Sequence, residues 1–286
     1  MSAIENSTPI IKVLFTLHPG MDAMDFIGPL EVLSHARHDI NDASTKAFKT
    51  FFAAAEEHTT SSQGACFRAH MDLEEARERL SEFDILIVPG GGVEAIIKSK
   101  GEPLGIIKAF SDLQKKDPRK ERTIMSVCTG SLFLATQGIL SGLTATTHPD
   151  YFAKFENICS EVAMRDLAPR ADVVEERYVV NNLRFDLGDP DENPYIRRKS
   201  DARRPSMGRK GSNAWKESNA RRESNARRAS LRLGGLRVIT AGGITAGLDA
   251  ALYLVSIMVS EEASAEITRI MQYTWNKGIV VDGIDI

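Results

Sequence analysis

The sequence predicts an α/β fold, a mostly parallel sheet with helices on both faces, and three observations carry the prediction. Near-continuous apolar, partly β-branched runs recur along the chain, as strands buried on both faces do. Helical patterns separate them, an alternation that gives parallel rather than antiparallel pairing. The ends of the runs collect Asp25, a glycine cluster, Cys128 and His148, so that one rim of the sheet gathers the residues with chemistry.

In chain order, the first strand is expected over 10–17, ended by His18-Pro-Gly-Met. Asp25-Phe-Ile-Gly-Pro-Leu-Glu-Val-Leu then opens a helix, with Leu30, Leu33 and Ala36 at helical spacing. Asp25 is either its N-cap or an acid placed where α/β sheets hold their ligands. A second strand is expected over 48–55, and a short one through Cys66 and Phe67, with Cys66 taken as a packing residue. A charged helix over 73–80 precedes the buried strand Phe83-Asp-Ile-Leu-Ile-Val-Pro-Gly-Gly-Gly92. The glycines Gly90 and Gly91 let backbone N–H groups approach a ligand, as in an oxyanion hole or anion nest, or simply form a tight turn. They lack the Lys-Ser/Thr ending of a phosphate loop and the GxGxxG spacing of a dinucleotide fold, so no nucleotide cofactor is expected.

Helices over 93–98 and 103–114 lead to the stretch around which the chain is organised, Thr123-Ile-Met-Ser-Val-Cys128-Thr129-Gly130-Ser131. An apolar run that stops at a cysteine and small residues reads as a nucleophile elbow: a sharp strand-to-helix turn exposes the thiol above the sheet. The first N–H groups of the next helix then favour the thiolate, which is the nucleophile. The alternative is a buried structural cysteine. Beyond a turn and a short strand, His148 stands at another strand end as a candidate base or as an ordinary loop residue.

The 286 residues are 42% hydrophobic and 26% charged, enough for one large core or two small ones. No apolar run approaches the about 18 residues of a membrane span, and the N-terminus carries no signal-peptide pattern, so a cytoplasmic protein is expected. Three cysteines, Cys66, Cys128 and Cys159, make no disulfide framework, and no Cys/His spacing suggests a metal. The net charge of −3 argues against nucleic-acid binding by the body of the protein.

Four blocks resemble the ThiJ/PfpI superfamily, the class I glutamine-amidotransferase-like proteins, and within it the isocyanide (isonitrile) hydratase group. They are Met24-Asp-Phe-Ile-Gly-Pro-Leu-Glu-Val-Leu33, Ile87-Val-Pro-Gly-Gly-Gly92, Ser126-Val-Cys-Thr-Gly-Ser131 with Ala145-Thr-Thr-His148, and Thr240-Ala-Gly-Gly-Ile-Thr-Ala-Gly-Leu-Asp249. The resemblance covers most of residues 10–185 and 236–275; it departs at Pro149, where the hydratases usually carry an aromatic residue that shapes the pocket. It implies a flavodoxin-like three-layer sandwich, a homodimer, and a small-molecule substrate, with no metal or organic cofactor. It also implies Cys128 as nucleophile, Asp25 as proton donor and acceptor, and Thr129 as a hydrogen-bonding partner of the reacting group. Backbone N–H groups near Gly90, Gly91 and Gly130 would stabilise developing charge, with His148 beside the pocket. Other thiol chemistry of the superfamily (glyoxalase, amidohydrolase or peptidase type) and a cysteine-oxidation sensor stay open alternatives.

A basic, low-complexity insertion over 184–235 interrupts what resembles a family hairpin, whose strands are Glu176-Arg-Tyr-Val-Val-Asn-Asn and Leu236-Arg-Val-Ile-Thr. Residues 197–232 hold 13 Lys or Arg against 3 Asp or Glu, a net +10 that leaves −13 for the remainder. The segment is nearly free of aliphatic residues and is expected to be disordered. Ser200, Ser206, Ser224 and Ser230 each follow Arg-Arg-x, the pattern of basophilic kinase targets. A phosphorylated arm that binds an acidic partner, nucleic acid or the acidic body is one reading, and it leaves nuclear localisation open; a tolerated loop expansion is the other. After the insertion, residues 244–259 read as a buried core or dimer helix, residues 263–275 as an amphipathic helix, and Ile279-Val-Val as an apolar tail.

Overall fold

The computed structural model describes residues 9–183, 229 and 232–282; Ser200, Ser206, Ser224, Ser230 and most of the 184–235 insertion lie outside the described residues. The strands are β1 (Ile11–Thr16), β2 (Phe48–Ala54), β3 (His58–Thr60), β4 (Cys66–Arg68), β5 (Met71–Asp72) and β6 (Ile85–Val88) in the first part of the chain. β7 (Thr123–Val127), β8 (Thr144–Ala145), β9 (Asp172–Val173), β10 (Tyr178–Asn182), β11 (Arg237–Ala241) and β12 (Ile279–Asp282) follow. The helices are α1 (Ala23–His35), α2 (Leu73–Glu78), α3 (Val93–Ser99), α4 (Leu104–Lys116), α5 (Gly130–Thr136), α6 (Phe152–Asp166), α7 (Ala246–Met258) and α8 (Glu261–Ile270).

Eight strands form one sheet in the order β12-β10-β11-β7-β6-β1-β2-β5. From β11 to β5 every neighbouring pair is parallel, and β10 runs antiparallel to β11, with Tyr178 opposite Ala241 and Asn181 opposite Val238. The strands beside the insertion therefore pair as the sequence suggests. Strand alternation divides the core: Ile85, Ile87, Met125 and Val127 pack with α1, α7 and α8 on one face. Leu86, Val88 and Ile124 pack on the other face with Phe110 of α4, Phe133 of α5 and Phe155 of α6. Each large side chain buried this way contributes about 1.5–3 kcal/mol. The result is the expected three-layer α/β sandwich.

Four local expectations change. Asp25 is not the N-cap of α1; Asp22 is, accepting the Met24 N–H at 2.9 Å, which places Asp25 inside the first turn. Cys66 is exposed rather than packed, because β3 and β4 form a hairpin outside the main sheet. Ser260 caps α8 and starts it at Glu261, and the helix stops at Ile270, close to Gln272, whose φ is 49°. The helix α6, not expected from sequence, buries only the narrow stripe Phe155, Cys159 and Val162.

At the rim where β7 and β11 begin, Arg237 is buried in an ion pair with buried Glu121 and donates to Thr123 Oγ1 at 3.2 Å. Removing one member of such a pair strands a charge. Glu121→Ala is expected to lower the free energy of unfolding by about 3–5 kcal/mol, read by urea denaturation.

Candidate active site

The site is built at the opposite rim, where β7 passes into α5. Cys128 takes a φ of 57°, a left-handed conformation that most side chains avoid. Its N–H is shared between Ala241 O (3.1 Å) and Gly242 O (2.9 Å), so the end of β11 holds the turn. Its carbonyl accepts from Ser131 Oγ at 3.1 Å and Thr147 Oγ1 at 3.3 Å. Gly130 is a packing requirement: a Cβ there would lie 2.4 Å from Val88 O, so only glycine lets α5 start against the end of β6.

Around the sulfur three groups converge. The N–H groups of Thr129 and Ile244 point at it, and the Asp25 carboxyl bonds to the thiol. Asp25 is fully buried; its Oδ2 accepts the Gly90 N–H at 3.0 Å, and its Oδ1 has no nitrogen or oxygen partner among the described residues. Burial, and then the nearby charge of Asp22, pushes the Asp25 carboxyl up to about 8, against the pull of Gly90 N–H and the thiol. Burial, and then the Asp25 charge, pushes the Cys128 thiol up to about 12, against the N–H groups of Thr129 and Ile244. The expectation that the start of α5 makes Cys128 a ready thiolate is therefore corrected. Two N–H dipoles do not outweigh desolvation at a residue only 6% exposed. The carboxylate raises the thiol, the thiol's hydrogen bond lowers the carboxyl, and the two titrate as a pair.

The glycine cluster also differs from expectation. Gly90 N–H is given to Asp25, and Gly91 N–H to Thr129 Oγ1 at 2.9 Å, so both fix site side chains instead of facing a reacting atom. Thr129 thus turns its N–H to the sulfur while its hydroxyl accepts from Gly91. His148 borders the site without meeting the thiol among the described contacts: its Nδ1 accepts Asp150 N–H at 3.2 Å, and its ring lies against Gly243. The Ile244 N–H was not legible as a site group, although Ile244 follows the Gly242-Gly243 pair; a backbone donor leaves no mark in residue type. Among the described residues no group of three or more His, Cys, Asp or Glu is gathered for a metal, and no helix is long and apolar enough to cross a membrane. A surface cleft of about 300 Å³ between α3, α5 and α6, lined by Ile97, Thr136, Ile158, Glu161, Val162 and Arg165, includes none of the site residues.

Comparison with known proteins returns a family for this architecture. The model of the DJ-1/PfpI family matches residues 11–183. The chain belongs to this family. An uncharacterised protein of Streptomyces lividans is 30% identical over 150 residues, covering 52% of this chain and 94% of that protein. The isonitrile hydratase of Pseudomonas putida is 27% identical over 141 residues, 49% of this chain and 54% of the enzyme, so the match spans about half of the hydratase. The same fold is found in a ThiJ/PfpI family protein of Pseudomonas syringae, with a TM-score of 0.55, 19% identity, and coverage of 97% of this chain and 82% of that one. Drosophila melanogaster DJ-1beta gives a TM-score of 0.56 at 17% identity, covering 93% of this chain and all of that one. DJ-1/PfpI membership thus accounts for the architecture, and the carboxyl–thiol pair is the part to be tested chemically.

The raised carboxyl has a thermal signature. In the unfolded chain Asp25 ionises near 3.8, but in the fold it keeps its proton up to about 8, so stability is lost as pH rises through that window. Asp25→Asn keeps an acceptor for Gly90 N–H without the buried charge. Its melting temperature is expected to exceed the wild type's by a margin that grows from pH 4 to pH 8 and then levels off, as differential scanning calorimetry would record.

Proposed function

We propose that the protein hydrates an organic isocyanide to an N-substituted formamide, with Cys128 as nucleophile and Asp25 as the proton carrier. The observation that carries this reading is a buried carboxyl bonded to the thiol and raised to about 8, which keeps one proton within reach of the reacting carbon. The family membership and the similarity to an isonitrile hydratase support it.

The chemistry starts from the pair after it has lost one of its two protons. Sulfur adds to the terminal carbon of R–N≡C as the remaining proton passes through Asp25 to that carbon, giving the thioimidate R–N=CH–S–Cys128. Asp25, now a carboxylate, takes a proton from the water that attacks the same carbon. The other water proton goes to nitrogen, the C–S bond breaks, and R–NH–CHO leaves with sulfur and carboxyl again sharing one proton. N–H groups of Thr129 and Ile244 stabilise the sulfur when it carries charge. The small exposure of Cys128 suits a slender group entering end-on. A peptidase-like alternative needs a histidine base, and the contacts of His148 with Asp150 and Gly243 favour the carboxyl instead.

Purified protein given an aryl isocyanide is expected to release the formamide. Cys128→Ala should abolish turnover, and Asp25→Ala should slow it by about 10²–10⁴, the usual worth of a general acid–base. No turnover by folded wild type with reduced Cys128 would falsify the reading. The kcat/KM of the wild type should rise with pH through about 8, as the pair gives up its first proton, and Asp25→Asn should remove that limb along with most of the rate.

A further inference from the structure

Ile244 is an unusual place to find a required N–H. Its φ is 46°, which is rare for a β-branched residue, and it is 40% exposed. The restraint comes from behind the loop. Arg177, just before β10, accepts the Gly242 N–H on its carbonyl at 3.0 Å, and Gly242 in turn accepts the Cys128 N–H at 2.9 Å. At the other end of the loop, Arg177 Nη2 donates to Thr245 Oγ1 at 2.8 Å, so one residue grips both sides of Ile244.

The guanidinium is itself anchored. Its Nε donates to Asp249 Oδ2 at 2.5 Å, and Nη2 also reaches Tyr273 OH at 3.2 Å. Asp249 is fully buried in the first turn of α7 and is bonded on both oxygens: Oδ2 accepts from Tyr273 OH at 3.1 Å, and Oδ1 from Asn276 N–H at 2.8 Å. A buried carboxylate is tolerated when paired and fully hydrogen-bonded, and a planar fork with a fixed donor spacing is the group that can meet it and Thr245 together.

We infer that Arg177, locked by Asp249, is a positioning residue for the thiol: it holds the loop of residues 242–245 so that the Ile244 N–H stays on the Cys128 sulfur. Arg177 acts through the loop and stabilises sulfur only when sulfur is charged. The inference goes beyond the hydration reaction and needs only that Cys128 be a reactive thiol.

The test is alkylation of the intact protein by iodoacetamide between pH 6 and 10, followed peptide by peptide, with exposed Cys66 as an internal standard. Arg177→Lys keeps the charge and loses the fork; Thr245→Val removes one contact and leaves the buried pair intact. In Arg177→Lys, Cys128 should react about tenfold more slowly than wild type at a given pH, the loss of one hydrogen bond to a charged group. Its pH profile should move up by about one unit, and Thr245→Val should shift it the same way by less. The Cys66 rate should not change. If Arg177→Lys does not fold, the direction of the Thr245→Val shift decides. Profiles that stay in place in folded variants overturn the inference, and so does faster Cys128 labelling at an unmoved profile, which a merely loosened loop would give. Wild type that labels Cys66 and never Cys128 overturns it together with the nucleophile reading, whereas a reactive wild type with unmoved variants leaves that reading standing.

Discussion

The site depends on a residue with a side chain being kept in a conformation suited to glycine. Holding Cys128 at a φ of 57° costs on the order of 1–3 kcal/mol and persists only where the surroundings over-determine it. They do so from four directions: β11 takes the N–H, Ser131 and Thr147 take the carbonyl, and Gly130 lets α5 press against β6. Relaxing the turn would break contacts with the central strands of the sheet. The strain is thus spread over the most rigid part of the fold, and the thiol is aimed by the core rather than by a loop.

The same arrangement accounts for the electrostatics. A thiol aimed into a covered site loses its water, and a carboxyl packed beside it loses its own, so both protons are held more tightly than in solution. Asp22 adds charge of the same sign from the cap of α1, while Gly90, Thr129 and Ile244 return a partial positive field through their N–H groups. The balance leaves a carboxyl that can both give and take a proton at modestly alkaline pH. Neither a helix terminus nor a single charged neighbour produces that alone.

Much of this architecture could be read in the sequence, because long apolar strands and a cysteine followed by Thr-Gly-Ser have few other uses. The strands next to the insertion were legible for the same reason. What escaped was set by geometry at the scale of one turn or by sums over many atoms. Asp22 and Asp25 are both plausible caps three residues apart, and only the chain path tells them apart. The amides of Gly90 and Gly91 look available until Asp25 and Thr129 are seen to occupy them. The direction of the Cys128 shift depends on how much desolvation outweighs two dipoles. Arg177 and Asp249 lie 72 positions apart on either side of the insertion, and neither sits in a motif that announces the other. The stripe of α6 is too thin to stand out from its charged residues.

β10 and β11 run antiparallel, with Tyr178 and Ala241 at the site end and Asn182 and Arg237 at the far end, where the 184–235 insertion leaves and rejoins the sheet. A strand of five residues separates the two ends by roughly 15 Å. Chain length added there is spliced into the rim farthest from the thiol, between strands whose pairing is already fixed on both sides. The returning end of the insertion belongs to the core, with Ala229 and Leu233 buried and Arg232 donating to the carbonyls of Gly138, Ile139 and Ser141. A fluorescent reporter or a second binding module spliced into this stretch would therefore have to leave residues 229–235 in place.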